Sequence, residues 1–283
     1  MKLIECPRDA MQGLHDFIPT AIKAEYINKL LKVGFDTIDF GSFVSPKAIP
    51  QLKDTVEVLE KLDLTTSRSK LLAIVANIRG VQDAVSHEQI HYLGFPFSVS
   101  ETFQQRNTNS GIAESLNTIE ELVDLCSKHD KTAVVYLSMG FGNPYDDAWS
   151  NEIVEQRTAE LVNRGVKVLA LSDTIGISTP EKINYLFSYL VKQFPEIEFG
   201  VHLHSTPSSW EEKIDAAYKS GCRRFDSALK GFGGCPMATN TLTGNIATEN
   251  VISYFQNQGE VLQLDMDAWQ EAMLFSSRVF EIK

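Results

Sequence analysis

Cysteine is scarce in this 283-residue sequence, which contains four copies far apart from one another. None of them forms a Cys-x-x-Cys pair, which argues against a structural zinc motif and against a disulfide framework. The sequence also lacks an apolar run of the ~18–20 residues that a membrane-spanning helix needs. No signal-like segment precedes the strand-like residues 3–6, so we expect a cytoplasmic protein with reduced thiols.

Basic residues are also in the minority, with 26 Lys and Arg against 37 Asp and Glu and a formal net charge of −11. An acidic chain without a basic stripe is not expected to bind nucleic acid as its main partner. The remaining composition, 43% hydrophobic and 22% charged, is typical of a folded globular protein. These features favour an enzyme or a small-molecule binder.

Short apolar runs alternate with amphipathic stretches along the whole chain. Each run is rich in Val, Ile, Leu or Phe and apolar almost throughout, as is typical of parallel strands that are covered on both faces. The predicted strands are residues 3–6, 37–40, 71–75, 90–93, 133–137, 168–172, 198–203 and 224–227.

The stretches between these runs have helical periodicity and helix-end signals. Residues 20–33 carry an apolar stripe before Gly34, and Thr179-Pro180 is typical of an N-cap followed by proline at the first helical position. Further helices are predicted at residues 152–164, 180–194, 208–220, 248–259 and 266–279. Eight strand–helix units predict an α/β fold, a (β/α)8 TIM barrel with an additional C-terminal helix, in one domain spanning residues 1–283. A doubly wound sheet is disfavoured because no Gly-x-Gly-x-x-Gly turn follows the first strand.

Catalytic groups of such barrels lie where the strands end, so the polar residues there are the candidates. The most informative are His202 and His204, because residues two apart on a strand share one face. With Asp9 across the barrel mouth, two imidazoles favour a divalent-metal site, although two unrelated histidines would fit the same spacing.

The other candidates have structural interpretations that the sequence leaves open. Arg8 and Asp9 could form an ion pair, Asp173 could begin an Asx turn, and Asn245 could cap a helix. Asp39 could serve only as a hydrogen-bonding residue of its loop. Cys235 lies among glycines, which suits a mobile segment that closes over a substrate better than a core position.

Six segments, taken in order, resemble the 3-hydroxy-3-methylglutaryl-CoA lyase branch of the DRE-TIM metallolyases over residues 2 to about 260. The Ser-Phe-Val-Ser-Pro-Lys and Gly-Gly-Cys-Pro segments are specific to that branch, whereas Pro-Arg-Asp and His-x-His are shared across the superfamily. The segments are residues 7–12, 42–47, 173–176, 202–204, 231–236 and 244–249.

The resemblance implies roles for individual residues. It implies that four side chains, Asp9, His202, His204 and Asn245, hold a divalent cation, Mg²⁺ or Mn²⁺. Arg8 would stabilise the enolate oxygen of the thioester. The remaining implied site residues are Asp39 and Asp173 for proton handling or its support, His202 as a base, Cys235 as a lid residue that protonates the product, and Gln12 and Ser42 at the substrate.

The implied reaction is cleavage of 3-hydroxy-3-methylglutaryl-CoA to acetoacetate and acetyl-CoA, by an enzyme whose partners are an acyl-CoA substrate and a second copy of the chain in a homodimer. The sequence departs from the family pattern at four positions: Ala10 replaces Gly, Asp39 replaces Glu, Val134 replaces Arg, and Ser205 follows the His-x-His pair in place of Asp. The departures at Asp39, Val134 and Ser205 leave the exact substrate open. A related aldolase or Claisen-type synthase acting on another hydroxy acid or acyl-CoA is the first alternative. A catalytically inactive barrel that binds a metabolite is the second.

Overall fold

The computed structural model describes residues 1–234 and 243–280, and in it eight parallel strands close into a barrel. The strands are β1 (Lys2–Glu5), β2 (Thr37–Ser42), β3 (Lys70–Ile74), β4 (Ile90–Ser98), β5 (Thr132–Ser138), β6 (Val168–Asp173), β7 (Glu198–Ser205) and β8 (Arg224–Ser227). Each strand pairs with the next in sequence, and β8 pairs with β1 to close the ring. The predicted TIM barrel is thereby confirmed.

Helices surround this barrel. In chain order they are α1 (Pro7–Gln12), α2 (Thr20–Val33), α3 (Thr55–Leu59), α4 (Ile78–Val85), α5 (Glu101–Thr108), α6 (Ile112–Lys128), α7 (Asn151–Asn163), α8 (Pro180–Gln193), α9 (Trp210–Lys219), α10 (Thr248–Asn257) and α11 (Met266–Phe280). The predicted cap of α8 is present, since the Thr179 hydroxyl accepts a hydrogen bond from the Lys182 amide. Gly34, at φ 83°, ends α2 in the left-handed region, where a Cβ would be strained.

The additional C-terminal helix packs against the first full-length helix of the barrel. Tyr26 of α2 meets Phe280 of α11 edge to face at 5.8 Å, and Phe35 meets Trp269 at 5.9 Å. The Asp265 amide, just before α11, donates to the Val33 carbonyl. This apolar contact fixes α11 on the outside of the barrel.

A short ninth strand lies at the C-terminal end of the barrel. This strand, β9 (Gly244–Asn245), pairs antiparallel with β7 so that Asn245 lies opposite His204. The pairing brings a residue from beyond β8 into the group of polar side chains at the barrel mouth.

Glu5 is buried on the helix-facing side of β1, where its carboxylate accepts hydrogen bonds from the Leu229 amide at 2.8 Å and the Thr248 hydroxyl at 2.5 Å. Burial outweighs these bonds and raises the pKa of Glu5 to about 8. Between its ordinary pKa and this value the unfolded chain releases the Glu5 proton while the folded chain retains it. The free energy of unfolding therefore falls as pH rises through this window.

We expect Glu5→Gln to flatten this pH dependence and to raise the free energy of unfolding at pH 8 relative to wild type. Glutamine can accept from Leu229 and donate to Thr248 without an ionisation cost. Urea unfolding between pH 4.5 and 8.5 measures the slope. Glu25→Gln on the exposed face of α2 is the control and should follow wild type, whereas equal slopes for Glu5→Gln and wild type would contradict the prediction.

Candidate active site at the barrel mouth

A cavity of about 360 Å³ opens at the C-terminal end of the barrel. Its polar side contains residues from α1, β6 and β7, and its apolar side contains residues from β3, β4 and the segment after β2. The lining includes Arg8, Asp9, Gln12, Val44, Ile49, Ile74, Pro96, Arg106, Asn107, Tyr136, Thr174, His202 and His204. Concave sites of this kind, with a few converging polar groups on an apolar wall, bind small molecules.

Asp9, His202 and His204 converge at this cavity. One ligand atom from each lies within 4.8 Å of the others, and the two imidazole rings are 5.3 Å apart. Leu203, between the histidines, points into the core beneath the helices. The strand alternation predicted from the sequence thus places both imidazoles on the barrel side.

Each histidine is held through its Nδ1. His202 Nδ1 lies 3.2 Å from Asp226 Oδ2, and His204 Nδ1 lies 3.1 Å from the Thr174 carbonyl. These contacts leave the Nε2 atoms for the cavity side. His204 Nε2 is buried without a hydrogen-bond partner among the described residues, as expected for a nitrogen that coordinates a metal ion.

The electrostatics of the cluster suit a cation. Burial, with His202 adjacent, lowers the pKa of His204 to about 4, so its imidazole is neutral and able to coordinate. Burial alone would raise the pKa of Asp9, but Arg8 and the two histidines outweigh it and lower the pKa to about 2. Burial also disfavours the charged form of His202, yet the Asp226 hydrogen bond and Asp9 raise its pKa.

Asn245 joins the cluster through β9. Its amide nitrogen donates to Asp9 Oδ2 at 2.7 Å and to the Phe232 carbonyl at 2.9 Å. The amide oxygen would face a cation held by Asp9 only after the amide turns over. Asn245 therefore lies at the position of the predicted fourth ligand, but its NH₂ group and not its oxygen faces Asp9.

Arg8 and Asp9 occupy the first turn of α1, which begins at Pro7 directly after β1. The sequence predicted only that both residues follow the first strand, and the helical turn is what aims both side chains at the mouth. Arg8 Nη1 donates to Asp9 Oδ1 at 3.0 Å and to Gln12 Oε1 at 3.0 Å. Gln12 in turn donates to Asp9 Oδ1 at 2.7 Å, so it belongs to the same network.

Asp39 holds the other side of the Arg8 guanidinium. Arg8 Nη2 lies 2.5 Å from Asp39 Oδ2, and Nε lies 3.0 Å from the same oxygen. Burial raises the pKa of Asp39 to about 6, although Arg8 acts in the opposite direction. Asp39 is fully buried beneath Arg8, so it orients the guanidinium and does not line the cavity.

Two predicted site residues lie behind the cavity wall. The Ser42 hydroxyl accepts from the Val44 amide at 3.2 Å and shapes the segment after β2. Asp173 points away from the barrel interior, where it accepts from Lys213 Nζ at 2.8 Å and from the Ser178 amide at 2.9 Å. The structure thus gives Asp173 loop and ion-pair contacts that stabilise the turn after β6, and does not bring it to the cavity.

We expect Lys213→Met to lower the free energy of unfolding by about 3 kcal/mol, because it leaves the buried Asp173 carboxylate without its counter-ion. Lys219→Met on the same helix is the control. It breaks a pair with Asp215 in which the Lys219 side chain is 65% exposed, and should cost less than about 1 kcal/mol. Thermal and urea unfolding measure both, and equal losses would contradict a structural Asp173–Lys213 pair.

Cys235 and Pro236 lie outside the described residues. The glycines just before them are described, and Gly233, at φ 89°, lies directly against α1 and Asn245. A Cβ at Gly233 would come within 2.7 Å of the Asp9 carbonyl and 2.9 Å of the Asn245 amide nitrogen. Only glycine allows this segment to approach the candidate cation site so closely.

Sequence reasoning missed Asp226, Arg224 and Cys6. Asp226 contacts His202, and Arg224 lies inside the barrel below it with Nη1 3.4 Å from Glu198 Oε1. The sequence did contain a signal for the first two: Arg224 and Asp226 are charged residues two apart on a strand that is buried on both faces. Val134, where the resemblance implies Arg, packs in the apolar barrel interior with Tyr136.

Comparisons with known proteins identify the family of this chain. The HMGL-like family model matches residues 3–274. The cytoplasmic 3-hydroxy-3-methylglutaryl-CoA lyase of Rattus norvegicus is 30% identical over 273 residues, covering 96% of this chain and 79% of the rat protein. The (R)-citramalyl-CoA lyase of Chloroflexus aurantiacus is 29% identical over 271 residues, covering 93% of this chain and 85% of that protein.

Among solved structures, the HMG-CoA lyase of Acinetobacter baumannii in complex with coenzyme A and 3-methylmalate superimposes with a TM-score of 0.89 at 29% identity. The match covers 98% of this chain and 90% of that one. The family is divalent-metal dependent, which agrees with the cluster of Asp9, His202 and His204. This chain belongs to the HMGL-like family and is a carbon–carbon lyase.

Proposed function

We propose that this protein is a 3-hydroxy-3-methylglutaryl-CoA lyase that breaks the C2–C3 bond of its substrate to give acetoacetate and acetyl-CoA. The observation that carries the proposal is the side-by-side arrangement of the cluster Asp9, His202 and His204 with the Arg8 guanidinium at one cavity. Cleavage of a tertiary alcohol beside a thioester needs both features: charge stabilisation at the hydroxyl and at the enolate.

The cluster fits a divalent cation, with Mg²⁺ or Mn²⁺ as the proposed ion. Two imidazole nitrogens and the Asp9 carboxylate offer a mixed N and O set, and the unpartnered Nε2 of His204 supports the fit. Asn245 is the proposed fourth ligand after its amide turns over. When bound, the cation would supply Lewis-acid polarisation of the substrate's hydroxyl and carboxylate oxygens.

Arg8 is proposed to stabilise the enolate. Its Nε and Nη2 are held by Asp39, and its Nη1 lies at the cavity between Asp9 and Gln12. A guanidinium fixed in this way needs no reorientation when negative charge develops on the thioester oxygen. Gln12 and Ser42 are also proposed to act in substrate binding. Gln12 would contact the substrate itself, whereas Ser42 would position Val44, which lines the cavity.

Proton transfers are proposed at two residues. His202 is the candidate base for the hydroxyl proton. Because Nδ1 contacts Asp226, the free lone pair is on Nε2, where it would either hold the cation or accept the proton, but not both at once. Cys235 is the candidate acid that protonates C2 of the enolate. Asp173 is the weakest of the predicted site residues, since its contacts are with the turn after β6.

A specific observation favours a second candidate, a lyase for another 3-hydroxyacyl-CoA or hydroxy acid. The barrel interior is apolar where the resemblance implies an arginine, since Val134 packs there in one cluster with Tyr136, which lines the cavity. A relative in Chloroflexus aurantiacus is a citramalyl-CoA lyase, and an Acinetobacter baumannii neighbour holds 3-methylmalate. The same ligand set and Arg8 would serve either substrate.

A coupled assay for acetoacetate release tests the first candidate. The purified chain is given 3-hydroxy-3-methylglutaryl-CoA with Mg²⁺, with Mn²⁺ and with chelator, and (R)-citramalyl-CoA is tested in parallel for pyruvate release. Metal-dependent acetoacetate formation with the higher kcat/KM supports the proposal. A higher kcat/KM for (R)-citramalyl-CoA supports the second candidate instead, and no cleavage of any thioester contradicts both.

Homodimerisation is proposed on the resemblance, and a cytoplasmic location is proposed on the four scattered cysteines, which form no Cys-x-x-Cys pair. No described helix is long and apolar enough to cross a membrane. Sedimentation equilibrium at micromolar concentration tests the dimer, for which a mass near twice 31.6 kDa is expected.

A further inference from the structure

His202 has a second edge that faces away from the cavity, and two other potential ligands lie there. Cys6 at the end of β1 and Asp226 on β8 each offer one atom that lies within 4.8 Å of the other and of a His202 ring nitrogen. Asp226 lies beside His202 in the β7–β8 register, and Cys6 immediately follows β1, which pairs with β8. The adjacent strands β1, β8 and β7 thus bring together a thiol, a carboxylate and an imidazole.

The contacts of this trio are incomplete. Asp226 Oδ1 is buried and has no hydrogen-bond partner among the described residues. Cys6 is 1% exposed, and in the described part of the chain its thiol makes only a long contact, from Sγ to the Ile4 carbonyl at 3.8 Å. A buried carboxylate oxygen without a partner is costly, so an additional group between these side chains would be favourable.

The donor set selects the kind of cation. A thiolate is a soft ligand that prefers Zn²⁺ or Co²⁺, whereas the hard ion Mg²⁺ does not favour sulfur. Zinc binds sulfur at ~2.3 Å and imidazole nitrogen or carboxylate oxygen at ~2.0–2.2 Å, which ligand atoms within 4.8 Å of one another can provide. Burial and the nearby carboxylates keep Cys6 protonated by raising its pKa, so cation binding must release the thiol proton to solvent.

We propose that Cys6, His202 Nδ1 and Asp226 form a second cation site, selective for a thiophilic divalent ion such as Zn²⁺ or Co²⁺. A neutral imidazole has one ring nitrogen with a free lone pair and one that carries hydrogen. Binding at Nδ1 therefore moves the hydrogen to Nε2 and withdraws His202 from the cavity site. The second site excludes the first, and a thiophilic ion inhibits the enzyme; only this inhibition rests on the proposed function.

A Co²⁺ titration tests the site without an activity measurement. Purified protein with saturating Mg²⁺ is titrated with Co²⁺, and the thiolate-to-cobalt charge-transfer absorption in the near ultraviolet is recorded. Removing a residue that only contacts a metal ligand lowers metal affinity by up to about 100-fold, and removing a ligand itself should lower it at least as much. We therefore expect Cys6→Ser to weaken Co²⁺ binding roughly 100-fold and to abolish this absorption. Cys222→Ser, another buried thiol, and Cys235→Ser should keep it.

The outcomes separate the possibilities. Absence of the charge-transfer absorption in wild type, its survival in Cys6→Ser, or its loss in Cys235→Ser would each overturn the proposal. Circular dichroism checks that Cys6→Ser is folded, and Cys6→Ala provides a smaller replacement if it is not.

A second measurement addresses inhibition. In the thioester-cleavage assay with Mg²⁺, Zn²⁺ should inhibit wild type and Cys222→Ser, but not Cys6→Ser at the same concentration. Equal Zn²⁺ inhibition of all three proteins would contradict exclusion between the sites. If the chain cleaves no thioester at all, the proposed function fails while the Co²⁺ titration still decides the second site.

Discussion

His204→Ala is expected to lower kcat/KM roughly 10³-fold or more while leaving the thermal midpoint close to that of wild type. The substitution removes Nε2, which has no hydrogen-bond partner in the described part of the chain, from the cluster with Asp9 and His202. With it goes several kcal/mol of charge stabilisation that a bound cation would supply. The imidazole's Nδ1 contacts the Thr174 carbonyl, and because Thr174 and His204 both line the cavity, water can occupy the space that the ring leaves. Activity therefore falls far more than stability.

Two measurements establish this result. Mn²⁺ affinity by isothermal titration should fall together with kcat/KM, which ties the loss of activity to the cation. His129→Ala, at an exposed position after α6, is the control and should retain both. Unchanged Mn²⁺ affinity in His204→Ala would show that the cation is held elsewhere.

Arg8→Lys should lower kcat roughly 10²–10³-fold with little change in KM, the order seen when one preorganised donor to a developing oxyanion is removed. Arg8 uses Nε and Nη2 for Asp39 and Nη1 for Asp9 and Gln12. A lysine ammonium cannot reproduce this planar set of donors. Steady-state kinetics at saturating metal measure both constants.

The control for Arg8→Lys is Arg79→Lys on the exposed side of α4, which should behave as wild type. Thermal unfolding of Arg8→Lys is recorded as well, since Asp39 loses its two-point partner. A variant that keeps kcat and raises only KM would make Arg8 a substrate-binding residue. That result would contradict its role at the enolate.

Much of the fold follows from local sequence. Runs of four to six apolar residues separated by amphipathic stretches predict covered parallel strands, and the structure confirms eight of them in a closed barrel. The His202 and His204 pair follows from alternation along a strand, which depends only on backbone geometry. Asp9 was predicted because polar residues near the C-terminal end of a strand lie at the barrel mouth in this fold.

Tertiary structure alone decided the rest of the site. Asn245 reaches His204 because β9 folds back on β7, and Asp226 reaches His202 because β8 lies next to β7 in a particular register. Strand pairing and register depend on packing between distant segments, so they cannot be predicted from the sequence of any one segment.

Tertiary structure also determines the direction in which the side chains of Asp173 and Cys6 point. Asp173 ends a strand in a sequence typical of a site residue, yet its side chain faces Lys213 on the helix side. Cys6, an ordinary buried thiol by sequence, faces His202 and Asp226. Sequence determined which strands and which chemical groups this barrel has, whereas the side of the barrel wall that each group faces depends on how the strand ends turn and pack.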